Sequence, residues 1–137
     1  MFFFPLSIYF MTKNPVPHHL AISVCNLETM TRFYNQVLGL PLLKKHFLEN
    51  GTPRSAWLSC GSMIVMLELN DRVPSNKNNT RSHLLALTME IKERDWWKTK
   101  LIGEGIVISK ESPYSIYFND PEGNPLALSH YPDSLTT

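Results

Sequence analysis

The sequence predicts an α+β domain built from two copies of one strand–helix–strands unit. Alternating segments and one helical segment occur in each half of the chain, and residues of the same kind recur at a constant offset of 64 positions. The pairs are His19 and His83, Leu27 and Ile91, Phe33 and Trp97, Val37 and Leu101, Leu38 and Ile102, and Gly39 and Gly103. One offset that relates a strand histidine, a helix face and a terminating glycine indicates a duplicated unit.

The first unit begins with an alternating segment at 18–24, in which Leu20, Ile22 and Val24 share one face. Asn26 is a suitable N-cap for a helix whose apolar residues recur at helical spacing until Gly39 ends it. Three strands are predicted after this helix, at about 41–48, 54–60 and 62–70.

The second unit follows a polar linker at 71–81 and repeats this order from His83. Its helix corresponds to 91–103, and its later strands are predicted near 105–109, 114–119 and 125–130. The six residues Asn119 to Asn124 contain Asp, Pro and Gly, and they predict a tight reversal between the last two strands.

Paired in this way, the two sheets would curl around a shared cleft and the helices would cover the outside. Strand alternation then directs His19, Glu68, His83 and Ala127 toward the cleft. Trp57, Tyr114 and Tyr117 are aromatic candidates for the cleft lining, although aromatic residues on strands also occur in cores and interfaces.

The predicted organisation is a single domain at 16–132, with units at 16–70 and 82–132 and a short tail at 133–137. Residues 1–15 form an apolar extension that we predict to be either disordered or the result of a mis-assigned start, with Met11 as the initiator. The extension has no basic residue before its apolar run and is too short to span a bilayer.

Composition narrows the classes of partner. The chain has 137 residues, a formal net charge of +1 and 43% hydrophobic residues, so nothing indicates a nucleic acid or an anionic membrane as partner. Small molecules or other protein chains are expected instead. Cys25 and Cys60 fit no metal or redox spacing and are interpreted as reduced thiols of a cytoplasmic protein. The absence of GxGxxG and P-loop motifs argues against a nucleotide cofactor.

Three potential donors could form a metal site. Two histidines and a carboxylate, His19, His83 and Glu68, make the set that binds Fe, Mn, Ni or Zn as divalent ions and leaves coordination positions open. Each of the three could instead be an ordinary hydrogen-bonded or solvent-facing residue.

Four ordered motifs resemble the vicinal oxygen chelate superfamily. They are His18-His19-Leu20-Ala21-Ile22-Ser23-Val24, Phe33-Tyr34 before Val37-Leu38-Gly39-Leu40, Ser82-His83-Leu84, and Tyr117-Phe118-Asn119-Asp120-Pro121-Glu122-Gly123-Asn124. This superfamily includes glyoxalase I, type I extradiol dioxygenases, fosfomycin-resistance thiol transferases and bleomycin-resistance proteins. The resemblance implies paired βαβββ modules with curled mixed sheets, frequently assembled as a homodimer with a shared cleft.

The resemblance also implies site residues. His19 and His83 match the family's two ligand histidines, and Glu68 resembles the first-module carboxylate of glyoxalase I. The family's last ligand, a glutamate, falls on Ala127, which is not a ligand. In the dioxygenase pattern Tyr117 matches a catalytic tyrosine, but the upstream histidine falls on Lys110, so ring cleavage is not expected.

Two functions remain open. The favoured hypothesis is a divalent-metal-dependent, glyoxalase-like lyase, isomerase or related enzyme that acts on a small oxygenated substrate through a reduced site of His19, Glu68 and His83. The alternative is a metal-free binding or resistance-type protein that holds a small molecule in a dimer cleft, and the departures at Ala127 and Lys110 favour it.

Overall fold

A computed structural model describes residues 14–70 and 83–135 of the chain. The predicted linker at 71–81 and most of the predicted N-terminal extension lie outside these residues, so both remain predictions. Within the two described ranges, no helix is long and apolar enough to cross a bilayer.

The first unit begins with strand β1 at His19–Val24 and helix α1 at Leu27–Arg32. The Asn26 side chain accepts a hydrogen bond of 3.0 Å from the backbone N–H of Thr29, which confirms Asn26 as the N-cap.

Beyond α1 the helix widens into a π-helical turn at Phe33–Val37, where the N–H of Leu38 donates to the carbonyl of Phe33. The helix ends as predicted before Gly39, which has a φ of +83° that favours glycine.

Three strands complete the first unit close to their predicted positions. They are β2 at Leu42–Phe47, β3 at Pro53–Cys60 and β4 at Met63–Leu69. The sheet order is β1-β4-β3-β2, with β1 and β4 parallel and the other neighbours antiparallel.

The second unit repeats this arrangement with shorter strands. Its parts are β5 at Leu85–Thr88, a 3-10 turn at Ile91–Glu93, helix α2 at Arg94–Gly103, β6 at Lys110–Glu111, β7 at Ser115–Asn119 and β8 at Pro125–Ser129. The order β5-β8-β7-β6, again with one parallel pair, confirms the duplicated unit and the α+β class.

The strand predicted near 105–109 is wrong, because the paired residues are Lys110 and Glu111. Gly105, with a φ of +81°, turns the chain after α2. Ile106 and Ile108 then pack against the core from an irregular segment. Their alternation reproduces the apolar pattern of a strand without its ladder of hydrogen bonds.

One hydrophobic core joins the two units. The Phe33 ring from the first unit lies 6.5 Å from the Phe118 ring of the second, measured between centroids, and both side chains are buried. The buried strand residues of both sheets belong to the same cluster: Val24, Leu58, Val65, Leu67, Ile116, Phe118, Leu126 and Leu128. The side chains on the opposite faces of the sheets, both polar and apolar, lie outside this cluster.

Candidate functional site

The face of the first sheet that points away from α1, here called the first open face, carries three rows of side chains. Residues in register across neighbouring strands share a face, so the pairings define the rows. The first row is Ser23, Glu68, Ser55 and His46; the second is Ala21, Met66, Trp57 and Lys44; the third is His19, Ile64 and Ser59.

His19 and Glu68 stand in different rows of this face. His19 lies opposite Ile64, four residues before Glu68, so the two backbones are about 13 Å apart along the strands. Side chains on strands stand roughly perpendicular to the sheet, whereas two donors on one ion lie within about 4 Å of each other. His19 and Glu68 of one chain therefore do not fit a single metal ion.

His83 is exposed and lies two residues before β5. It lines a cavity of about 290 Å³ between β1 and the start of β8, which Ser23 and Asn124 also line. Neither His19 nor Glu68 belongs to this lining.

The two sheets also differ by one residue in register. Glu68 lies opposite Ser23, whose counterpart at the 64-residue offset is Leu87, but Ala127 lies opposite Ala86. The 64-residue repeat by itself therefore does not show that His83 holds, in the second sheet, the position that His19 holds in the first.

Among residues 14–70 and 83–135, no three His, Cys, Asp or Glu side chains are grouped so that they could hold a metal ion. The set of His19, Glu68 and His83 is not brought together within one chain. It remains a prediction about an assembly of more than one chain.

The equivalent face of the second sheet, the second open face, carries a row of Lys110, Tyr117, Ala127 and Ala86. The ammonium of Lys110 lies 4.8 Å from the centroid of the Tyr117 ring, and Ala127 is 1% exposed. The register with Tyr117 and Ala86 places Ala127 on the face opposite to Leu126 and Leu128. The row offers a cation, a phenol and a methyl group where ring cleavage would need an imidazole and a carboxylate.

Two of the three aromatic residues predicted to line the cleft lie on the open faces, and the third packs elsewhere. Trp57 lies on the first open face and Tyr117 on the second. Tyr114 instead packs edge-on against Tyr131, with ring centroids 5.1 Å apart.

His130 has a structural role that its sequence context does not suggest. It is 4% exposed, and its Nε2 accepts a hydrogen bond of 2.9 Å from Nη1 of the buried Arg94. Its Nδ1 then donates to the carbonyl of Asp133. Arg94 Nη2 also donates to Glu111, at 3.0 Å, and the hydrogen bonds that Glu111 accepts from Arg94 and Lys98 lower the pKa of its carboxyl group. His130 is therefore unavailable as a ligand.

The predicted reversal at Asn119–Asn124 turns out to join the two units. Asp120 is buried and accepts hydrogen bonds from the Tyr34 hydroxyl at 2.8 Å, from the Asn124 amide at 2.7 Å, and from the backbone N–H groups of Glu122 and Asn124. Burial raises the pKa of Asp120 above its ordinary 3.8 despite these bonds. Burial, followed by the charge of Asp120, raises the pKa of Tyr34 well above 10.0.

Sequence reasoning identified this turn but missed its carboxylates as inter-unit contacts. The available signal was two acidic residues, Asp120 and Glu122, inside a segment between apolar strands. Acidic residues are almost never fully buried unless they are paired.

Comparison with known proteins places this geometry among characterised folds. A sequence model described as "Glyoxalase/Bleomycin resistance protein/Dioxygenase superfamily" matches residues 16–128. A curated relative, the glutathione transferase FosA of Serratia marcescens, is 29% identical over 117 residues, which cover 81% of this chain and 77% of the relative.

Two solved structures share the fold at low identity. A mutant of the fosfomycin resistance protein FosX of Listeria monocytogenes, complexed with Mn(II) and 1S,2S-dihydroxypropylphosphonic acid, has a TM-score of 0.72 and 15% identity, with 87% of this chain and 94% of that chain covered. Lactoylglutathione lyase of Agrobacterium tumefaciens has a TM-score of 0.64 and 22% identity, with 85% and 93% covered.

Proposed function

The chain belongs to the Glyoxalase/Bleomycin resistance protein/Dioxygenase superfamily, and from that premise we propose that it binds a small oxygenated molecule on its open faces without a resident metal ion. The separation of His19 from Glu68 carries this proposal. The two residues lie four positions apart along a parallel strand pair, and the position of the family's last ligand is the methyl group of Ala127.

The open faces supply groups that bind oxygenated molecules directly. The first carries three serines, a half-buried carboxylate and an indole, and the second carries an ammonium beside a phenol. Hydroxyl, indole and ammonium groups donate to ligand oxygens, and Glu68 accepts from ligand hydroxyls. Such a mixture of apolar surface and a few polar groups is typical of small-molecule sites.

A second candidate function is a divalent-metal-dependent lyase, isomerase or related enzyme that uses His19, Glu68 and His83. Two observations favour it: the FosX structure holds Mn(II), and both histidines are exposed, whereas His130 is buried in structural contacts. Because the donors of one chain do not meet, this candidate needs a homodimer whose cleft combines donors from two chains. The ion would be Ni, Zn, Mn or Fe.

Both candidate functions fit the same cellular location. Cys25 and Cys60 form no disulfide in the part of the chain that the structure describes, and we propose a cytoplasmic location. Neither candidate uses a nucleic acid, a membrane or a nucleotide cofactor.

Calorimetric titration with 1S,2S-dihydroxypropylphosphonic acid, the compound held by the FosX relative, separates the two candidates. The titration is run once with EDTA and once with MnCl₂, on the wild type and on His19→Ala. The metal-free proposal expects the same Kd in both buffers and in both proteins. Binding that requires Mn(II) and is lost in His19→Ala would overturn it in favour of the enzyme, and no binding in either buffer would contradict both.

A further inference from the structure

We propose that the first open face holds a binding site for a small polyhydroxylated molecule, formed by the row Ser23, Glu68, Ser55 and His46 together with Trp57. This inference rests on the proposed function and assigns the bound molecule to a chemical class. It also gives Glu68 a role other than that of a metal ligand.

The row is continuous across the whole sheet. Ser23 pairs with Glu68, Glu68 with Ser55, and Ser55 with His46, so each of the four strands contributes one polar side chain at the same level. Neighbouring strands are about 4.8 Å apart, so the row is about 14 Å long. Ser55 is 4% exposed, so the hydroxyl of Ser23, the carboxylate of Glu68 and the imidazole of His46 are the groups of the row that can donate to and accept from the hydroxyls of one ligand.

Two ring nitrogens beside this row have no hydrogen-bond partner. Nε1 of Trp57 and Nε2 of His46 are both covered from solvent and unpaired within the described parts of the chain, and the two rings lie 4.7 Å apart between centroids. Nearly all buried polar groups in native proteins are hydrogen-bonded, so an unpaired nitrogen calls for an explanation. Both side chains are only partly buried as a whole, so a rotation of either ring would turn its covered nitrogen toward a molecule that lies on this face.

The charge of the row favours hydroxyl or ammonium donors over anions. Glu68 is half-buried and forms no ion pair with any other residue that the structure describes. A carboxylate in this setting repels an anionic ligand and accepts hydrogen bonds from hydroxyl or ammonium groups. Trp57 adds a large flat surface against which the C–H face of a sugar-like ring can pack.

The test follows the indole N–H resonances of isotope-labelled protein during titration with D-glucose and, separately, with D-glucosamine. The chain has three tryptophans, so Trp96 and Trp97 on α2 act as internal controls. Trp96→Phe and Trp97→Phe identify the three signals. This readout is needed because sugars raise the stability of most proteins through exclusion from their surface, which makes a thermal shift uninformative.

The expected result is a saturable shift of the Trp57 indole signal while the Trp96 and Trp97 signals stay in place. Glu68→Gln and His46→Phe should each weaken binding roughly tenfold or more, whereas His18→Phe, an exposed histidine outside the row, should not. A loss in Glu68→Gln that is larger for glucosamine than for glucose places the ammonium group on Glu68. Equal losses place a hydroxyl there.

An unmoved Trp57 signal with both sugars would overturn the inference. Shifts confined to backbone amides of the second open face would also overturn it while leaving the proposed function in place. The phosphonate used in the calorimetric titration is an anion that suits the second open face with its Lys110 ammonium rather than the row of Glu68. The proposed function itself fails only in that titration, so the two failures are distinguishable.

Discussion

The backbone N–H of Asn26 donates a hydrogen bond of 2.8 Å to the carboxylate of Glu122, across 96 positions of sequence. The N–H of Cys25 donates to both oxygens of the same carboxylate, at 2.8 and 3.0 Å. The turn between β7 and β8 therefore holds the point at which β1 ends and α1 begins. This contact ties the first unit to the second, beside the core that they share.

Replacing Glu122 tests this contact. Glu122→Ala leaves the N–H groups of Cys25 and Asn26 without their acceptor, and we expect a loss of about 1.5–3 kcal/mol in the free energy of unfolding, measured by urea denaturation. Glu49→Ala, at an exposed turn position, is the control and should change stability by less than about 0.5 kcal/mol. Similar losses in the two variants would argue against the contact.

Asp120 should make stability depend on pH. Its pKa is raised in the folded protein, so the folded state holds this proton more tightly than the unfolded chain does. The stabilising contribution is present below the ordinary value of 3.8 and is lost as pH rises through the raised pKa.

Asp120→Asn isolates this effect because it removes the titrating group. Urea denaturation of both proteins across this range should show the wild type losing stability relative to the variant as pH rises toward neutrality. A difference that stays constant with pH, or widens in favour of the wild type, would contradict the shift.

Arg94 should be one of the most sensitive charged residues. It is 4% exposed and donates to Glu111, to His130 and to the carbonyls of Ser112 and Ser115. Arg94→Ala removes a buried cation that donates to four groups at once and leaves Glu111 with Lys98 as its ion-pair partner, and we expect a loss of about 3–5 kcal/mol in thermal or urea denaturation.

The matched control for Arg94 is Arg32→Ala. Arg32 also forms an ion pair, with Glu104 at 3.2 Å, but its side chain is 56% exposed. Exposed pairs contribute less than about 1 kcal/mol. Equal losses of stability in the two variants would show that burial does not make the contacts of Arg94 more stabilising than an exposed ion pair.

Ala127→Glu tests whether a glutamate at the family's last ligand position gives this chain a metal site. Without metal, the buried charge should destabilise the protein by about 1–3 kcal/mol. If the position retains the family's ligand geometry, added MnCl₂ should raise the melting temperature of this variant more than that of the wild type.

Ala86→Glu is the control for this experiment, because Ala86 is the register partner of Ala127 but lies exposed on an edge strand. An equal metal-dependent rise in the wild type would instead show that the native chain already binds the ion. That outcome would support the metal-dependent candidate.

Most of the strands and helices could be predicted from the sequence, because local residue patterns determine where they form. Alternation predicted six strands within a few residues, and helical spacing between Asn26 and Gly39 predicted the first helix. The prediction of a strand at 105–109 failed, because Ile106 and Ile108 alternate but the pairing with β7 begins only at the end of this range, where the N–H of Ser109 donates to Tyr117, and continues through Lys110 and Glu111. Apolar alternation reports burial of one face, whereas a strand also needs a partner within hydrogen-bonding distance.

The candidate site was harder to predict because it depends on register. Sequence alternation correctly placed Glu68 and His19 on one face, since side-chain direction is a local property with a period of two residues. Their separation of four residues along the strands depends on how β1 slides against β4, which packing of the two strands decides. The same holds for the row that brings Glu68 beside Ser55 and His46.

By itself the sequence determined the duplicated unit, the faces of the strands and the absence of a carboxylate at Ala127, because repeats, alternation and residue identity are all local information. Only the tertiary structure decided that Glu122 joins the units, that His130 is occupied by Arg94, and that Glu68 stands in a row apart from His19. These are contacts between residues distant in the chain, and the packing of the strands and the core sets them.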